Sequence, residues 1–154
     1  EFGHIIVEHD GIECPCGQRG CWERYASGTG LGRWARKAAS DGLLELNPAD
    51  GDELRGEDVT RSALAGNHDA LAVVDTFAGW VSLGLLSLTN VFDPEVIVLA
   101  GGISAAPELF LPPIERRFDA RLYATELRPK PDIRFAELGP YAGAVGAALL
   151  TVEE

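Results

Sequence analysis

All three cysteines of the chain, Cys14, Cys16 and Cys21, lie close together near its start, and His4 precedes them. An odd number of cysteines packed this tightly is poor material for a disulfide framework. Neighbouring reduced thiols point instead to the cytosol and to a metal. Three soft thiolates and one imidazole, spaced His4-x9-Cys14-x-Cys16-x4-Cys21, are the ligand set of a closed tetrahedral zinc site. A doubly charged ion with three thiolates and a neutral imidazole leaves one net negative charge, tolerable in a partly buried loop. Gly17 and Gly20 allow the loop to close around an ion, and Pro15 stiffens the step between the first two thiols. Two other readings are a chance buried cluster and a redox pair. A redox pair normally takes the form Cys-x-x-Cys at a helix start, which is not the pattern here. His9 stands in a charged turn between Glu8 and Asp10 and reads as solvent-facing, and His68 reads as a cap-region residue at a helix start. Four protein ligands leave no open coordination position, so the expected role of the ion is structural. The ring nitrogen of His4 that does not face the metal stays available for a hydrogen bond.

The remainder of the sequence has the balance of a globular domain. It comprises 154 residues, 46% hydrophobic and 24% charged, long enough to bury a core. Thirteen basic against 24 acidic residues give a formal charge of −11. That excess argues against nucleic-acid binding by this segment and against docking on an anionic membrane. The longest uncharged apolar run, residues 76–92, contains Ser82, Ser87, Thr89 and Asn90 and reads as a core helix rather than a membrane span. The chain contains no Met and opens in a strand-like run, so an upstream portion is expected to be missing.

Residues 2–7 read as a strand and 8–20 as a loop. Residues 22–40 carry helical periodicity, interrupted by Gly28, Gly30 and Gly32. Residues 41–57 read as surface loop and 60–65 as a short helix closed by Gly66. A long helix from His68 to Phe92 is apolar almost all round and is expected to be buried. Asp93-Pro94 stops it. Residues 95–100 are expected to form a buried strand ending at Gly101-Gly102. A second helical stretch, 107–125, is expected to be entered through Pro112-Pro113. Residues 132–136 then read as a strand, and 141–152 as a helix of small residues. This alternation implies an α/β fold with helices layered on a sheet.

Glu1-Phe2-Gly3-His4 followed by Cys14-Pro15-Cys16-Gly17-Gln18-Arg19-Gly20-Cys21-Trp22-Glu23 resembles the ROK family of bacterial sugar kinases and repressors. Both the Glu-x-Gly-His sugar motif and the Cys-x-Cys-Gly-x-x-Gly-Cys-x-Glu zinc motif are matched at every fixed position. Asn90 to Glu95 and Val98 to Ser104 are similar to the family's adenosine-side segment. The stretch from Cys21 to Gly28 looks most like actinobacterial glucokinases. The resemblance implies an actin-like ATPase fold, related to ribonuclease H, of which this chain would be part of the C-terminal lobe. Residues 1–24 would carry the sugar and zinc motif, and 67–152 a helix–strand–helix core with the nucleotide-side turn.

The same resemblance implies phosphorylation of a hexose, glucose to glucose 6-phosphate, with ATP and Mg²⁺. Glu1, His4 and Glu23 would hold sugar hydroxyls, and Gly101 and Gly102 would border the nucleotide. Glycines ending a strand at the carboxyl edge of an α/β sheet are where ligands tend to bind. Glu23 also reads more plainly as an acid favoured by a helix N-terminus, and the two glycines as an ordinary strand–helix turn. The family's phosphate loop and its general-base Asp find no match in these residues, so no catalytic residue is nominated. The segment alone is expected not to phosphorylate anything. A sugar-responsive repressor of the same family is the rival reading, and a zinc-stabilised interaction module a further one. A cytoplasmic homo-oligomer, dimer or tetramer, is implied by the family. The sequence does not choose among hexoses, or between ATP and polyphosphate.

Overall fold

The computed structural model describes residues 1–49, 51 and 53–151. Residues 2–7 do not form the expected strand. Phe2–His4 is a 3-10 turn, and only Ile6 makes a bridge, antiparallel to Cys21. The loop hydrogen bonds explain this. Val7 donates to Gly20 O at 2.9 Å and Trp22 to Ile5 O at 2.8 Å, so the segment pairs with the returning cysteine loop for one bridge's length and no more.

The expected helix over 22–40 is split into α1 (Glu23–Ala26) and α2 (Gly28–Ser40). Ser27 causes the break. Its backbone is extended, and its hydroxyl accepts the Gly30 N–H at 3.2 Å as the N-cap of α2. Helix α3 (Gly56–Leu64) starts four residues before the expected position. Buried Asp58 sets that start, accepting Arg55 N–H at 3.0 Å and Ala49 N–H at 3.1 Å and pairing with Arg61. Of the expected loop 41–57, Asp50 and Asp52 lie outside the described residues.

Helix α4 (His68–Phe92) has the expected bounds. Asn67 caps its start by accepting Asp69 N–H at 2.9 Å and Ala70 N–H at 3.0 Å. Asp93 ends it in the left-handed conformation, with its N–H on Thr89 O at 2.9 Å. By length and hydropathy α4 could cross a membrane, but half of its most apolar window is buried inside the fold. It packs on α1, α2, α3 and the following helix α5 (Pro107–Asp119), which is why it is apolar on several faces. Phe110, Ile114 and Phe118 form the fully buried stripe of α5, at the spacing of successive helical turns. Phe110 meets Phe77 of α4 edge-on, with ring centroids 5.8 Å apart. Pro112 and Pro113 lie inside α5 rather than at its entry, where Pro107 holds the first position.

The strands are β1 (Val96–Leu99) and β2 (Asp132–Phe135), parallel, in register from Val96 opposite Asp132 to Leu99 opposite Phe135. Parallel strands need a crossover, which α5 supplies. β1 is not the buried strand expected. Ile97 and Leu99 pack toward the core, whereas Val96 and Val98 are 44% and 61% exposed. Among the described residues, helices cover one face of the sheet. Helix α6 (Ala142–Leu149) closes the described chain, and Val152 of the expected 141–152 helix lies outside it.

Asp58 provides a test of this fold. Its hydrogen bonds, first the Arg55 N–H, hold its carboxyl below the ordinary value of 3.8. The folded state therefore binds this proton less readily than the unfolded chain. The stabilisation is present above the unfolded pKa and is lost as pH falls through the folded one. Asp58→Ala is expected to cost about 2 kcal/mol at neutral pH. Measured by urea unfolding at two pH values, the difference from wild type should shrink in acid. A loss that does not depend on pH would contradict the assignment.

Candidate metal centre

The cysteine loop folds back on itself through short-range bonds. Cys14 N–H donates to Gln18 O at 2.8 Å, Gly17 N–H to Cys14 O at 3.0 Å, and Gly20 N–H to Ile12 O at 2.8 Å. Glu13 and Arg19 pair across the loop, both as a backbone bridge and through their side chains at 2.7 Å. Gly20 has φ +78°, and a Cβ there would lie 1.8 Å from Glu8 O. No other residue closes the loop at this point.

The loop brings the four predicted ligands together. One donor atom from each of His4, Cys14, Cys16 and Cys21 lies within 4.8 Å of the others. Cys16 Sγ is 3.6 Å from Cys21 Sγ, and His4 Nδ1 is 3.7 Å from Cys14 Sγ. A sulfur–sulfur distance near 2.05 Å would mean a disulfide. Tetrahedral zinc, with bonds of about 2.3 Å to sulfur, places sulfurs about 3.8 Å apart. The Cys16–Cys21 spacing is close to that value, so the four residues could hold one ion. Burial pushes the Cys21 thiol up to about 12, whereas the Gln18 backbone N–H, with Cys14 beside it, holds Cys16 below the ordinary thiol value. A divalent ion overrides that burial penalty by deprotonating the thiols it binds.

Two acidic residues lie near the segment that carries the imidazole. His4 Nε2 faces Glu1 Oε2 at 3.8 Å. Glu23, first residue of α1, lies along Gly3: a Cβ on Gly3 would sit 3.2 Å from Glu23 Cβ and 3.8 Å from its Oε2. Glu1, His4 and Glu23 therefore share one exposed corner of the molecule. Gly101 and Gly102 stand on a different element, at the carboxyl end of β1. Gly101 has φ +97°, and side chains added at either glycine would meet open space. Ser104 Oγ donates to Gly101 O at 2.6 Å and holds the turn.

Two contributors escaped the sequence. Tyr25 is buried, and its hydroxyl accepts Ile12 N–H at 2.8 Å, bracing the loop beside Cys14. Trp22 anchors the residues around Cys21 to α4 through its indole N–H on Trp80 O at 2.7 Å. Both read in sequence as apolar positions of a helix. The available signal was two large aromatics within four residues of a candidate metal-ligand cysteine. Trp80 stacks on both Tyr25 and Trp34, with ring centroids 4.4 Å and 5.6 Å away.

The ROK family model matches residues 1–154. This chain belongs to the ROK family. It is 38% identical over 159 residues to the glucokinase of Streptomyces coelicolor, covering 99% of this chain and 50% of that one. It is 28% identical over 153 residues to the xylose repressor of Bacillus spizizenii, covering 99% of this chain and 36% of the repressor. Among solved structures, it superposes with TM-score 0.89 and 40% identity on a ROK family glucokinase from Streptomyces griseus in complex with glucose and AMPPNP, covering 97% of this chain and 50% of that one. The chain thus spans about half the length of the glucokinases it matches. The fold is that of ROK sugar kinases, an α/β architecture of the actin-like ATPase type.

Proposed function

We propose that this chain forms the sugar-holding and metal-bearing part of an ATP-dependent hexose kinase, one that phosphorylates glucose on its 6-hydroxyl. The observation that carries the reading is the two-sided environment of His4, with Nδ1 toward the thiols and Nε2 toward Glu1. An imidazole held from behind by a metal presents a fixed donor in front. Glu1 and Glu23 would accept hydrogen bonds from sugar hydroxyls while His4 donates one. A fixed ring directs its free hydroxyl at the phosphoryl donor, the positioning that phosphoryl transfer depends on.

His4, Cys14, Cys16 and Cys21 fit zinc by donor type and spacing. When bound, zinc would supply charge and rigidity rather than chemistry on the substrate. Gly101 and Gly102 would border MgATP, since open glycine backbone permits close approach. Support comes from the S. griseus glucokinase, whose complex holds glucose and AMPPNP. The xylose repressor relative favours a second reading, a sugar-responsive repressor that would bind sugar through the same corner without turnover.

Calorimetric titration of the full-length, zinc-replete protein with glucose, alongside a coupled assay with MgATP, tests both. Glucose binding with phosphorylation is the expected result, and Glu23→Gln should weaken glucose about ten- to a hundredfold, the effect of one charged hydrogen bond. Glucose binding without turnover would favour the repressor, and no sugar binding at all would remove both readings.

A further inference from the structure

Trp22 stands between Cys21 and Glu23, and its indole is seated on the middle of α4. The indole N–H donates to Trp80 O at 2.7 Å. The ring lies directly over Gly84, where an added Cβ would come within 1.9 to 2.4 Å of three indole carbons. Ring carbons cannot swing aside singly, so any larger residue at 84 displaces the whole indole. Glycine in the interior of a helix is disfavoured by backbone entropy, and the indole gives Gly84 a reason to be there.

Helix α1 has only four residues. A helix this short has no stability of its own and takes its orientation from what it packs on. Its anchors are Trp22 on Gly84 and Tyr25 on Trp80. The Trp22 backbone also donates to Ile5 O at 2.8 Å, linking the same anchor to the segment that carries Glu1 and His4. Glu23 follows Trp22 directly and extends over Gly3 instead.

We propose that the seat of Trp22 on Gly84 is a positioning device: it fixes α1 on α4 so that the Glu23 carboxylate stays over Gly3, the residue before His4, and so sets sugar affinity. Trp22 and Gly84 are positioning residues that act through Glu23. The proposal rests on the sugar-holding reading of Glu23.

The test measures glucose and AMPPNP affinities and zinc content of the full-length protein. Gly84→Ala is expected to raise the glucose Kd about tenfold or more, because misplacement by about 1 Å can cost up to a hundredfold. The AMPPNP affinity and zinc content should not change. Trp22→Leu should give the same selective loss, and adding Gly84→Ala to it should cost nothing further, since no indole remains to displace. A folded Gly84→Ala protein with unchanged glucose affinity overturns the proposal. So does an equal loss of both affinities, which would mean general loosening, and so does additivity of the two substitutions. If Gly84→Ala does not fold, Trp22→Leu is read instead. It takes the ring off Gly84, and unchanged glucose affinity in it likewise overturns the proposal. Glu23→Gln separates the two levels. If it has no effect on glucose, the reading of Glu23 falls and this inference with it. If it weakens glucose while Gly84→Ala does not, only the positioning claim falls.

Discussion

Cys21→Ser is expected to abolish metal retention and to release the loop from Ile5 to Trp22. Cys21 is fully buried, and its sulfur lies 3.6 Å from that of Cys16. Its backbone also bridges Ile6, so ligand and loop closure meet at one residue. Serine keeps the shape but offers a hydroxyl that does not ionise to replace the thiolate. Structural zinc contributes about 10–16 kcal/mol in small zinc-binding peptides at neutral pH, so loss of one ligand in four removes a large share of what holds this loop. Elemental analysis should find about one zinc per wild-type chain, as a single four-ligand site requires, and little in the variant. Limited proteolysis should then cut within residues 8–20. Because thiols must shed protons to bind, affinity for the ion should rise with pH and fall in acid. A Cys21→Ser protein that holds zinc as tightly as wild type would exclude the cluster as the binding site.

Phe110→Ala is expected to destabilise the fold by about 3–5 kcal/mol. Phe110 is fully buried: its ring meets Phe77 of α4 and lies one turn before buried Ile114 on α5. The α4–α5 contact is also where the buried Ser82 hydroxyl lies within reach of Ala78 O at 2.7 Å and Ile114 O at 2.9 Å. The two helices cannot slide together to fill the space without breaking that polar contact. Against a total stability of about 5–15 kcal/mol for a domain, the loss should be plain in urea unfolding. A change below about 1 kcal/mol would mean that the core collapses around the gap more freely than the packing implies.

The parts of the fold legible in sequence were those fixed by chemistry with few alternatives. The ligand spacing of His4 and the three cysteines placed them together, and Gly66 closing the preceding helix and the stop at Asp93-Pro94 gave α4 its bounds. What was not legible depends on partners distant in sequence. Residues 2–7 have the composition of a strand, yet their pairing partner is a tight cysteine loop that offers one bridge. Val96 and Val98 have strand residues' side chains but only one covered face. Pro112 and Pro113 were read as a helix entry, whereas Pro107 starts α5 and the tertiary contacts of Phe110, Ile114 and Phe118 hold the helix through the missing donors. In the candidate site, residue types pointed to the candidate ligands, which the fold brings together, but the bracing by Tyr25 and Trp22 depends on α4, more than fifty residues away in the case of Trp80 and Trp22.

The chain has three tryptophans, and all of them stand in one place: Trp34 stacked on Trp80, and Trp22 bonded to the Trp80 carbonyl. Ultraviolet emission from the tryptophans of this chain is therefore a local signal. Within the chain it comes from indoles adjoining the cysteine loop, so quenching or a spectral shift on adding an ion or a sugar can be read without an attached dye. The near-parallel Trp34–Trp80 pair, 14° between planes, should further give an excitonic band in circular dichroism that fades when that corner loosens, even while the rest of the domain stays folded.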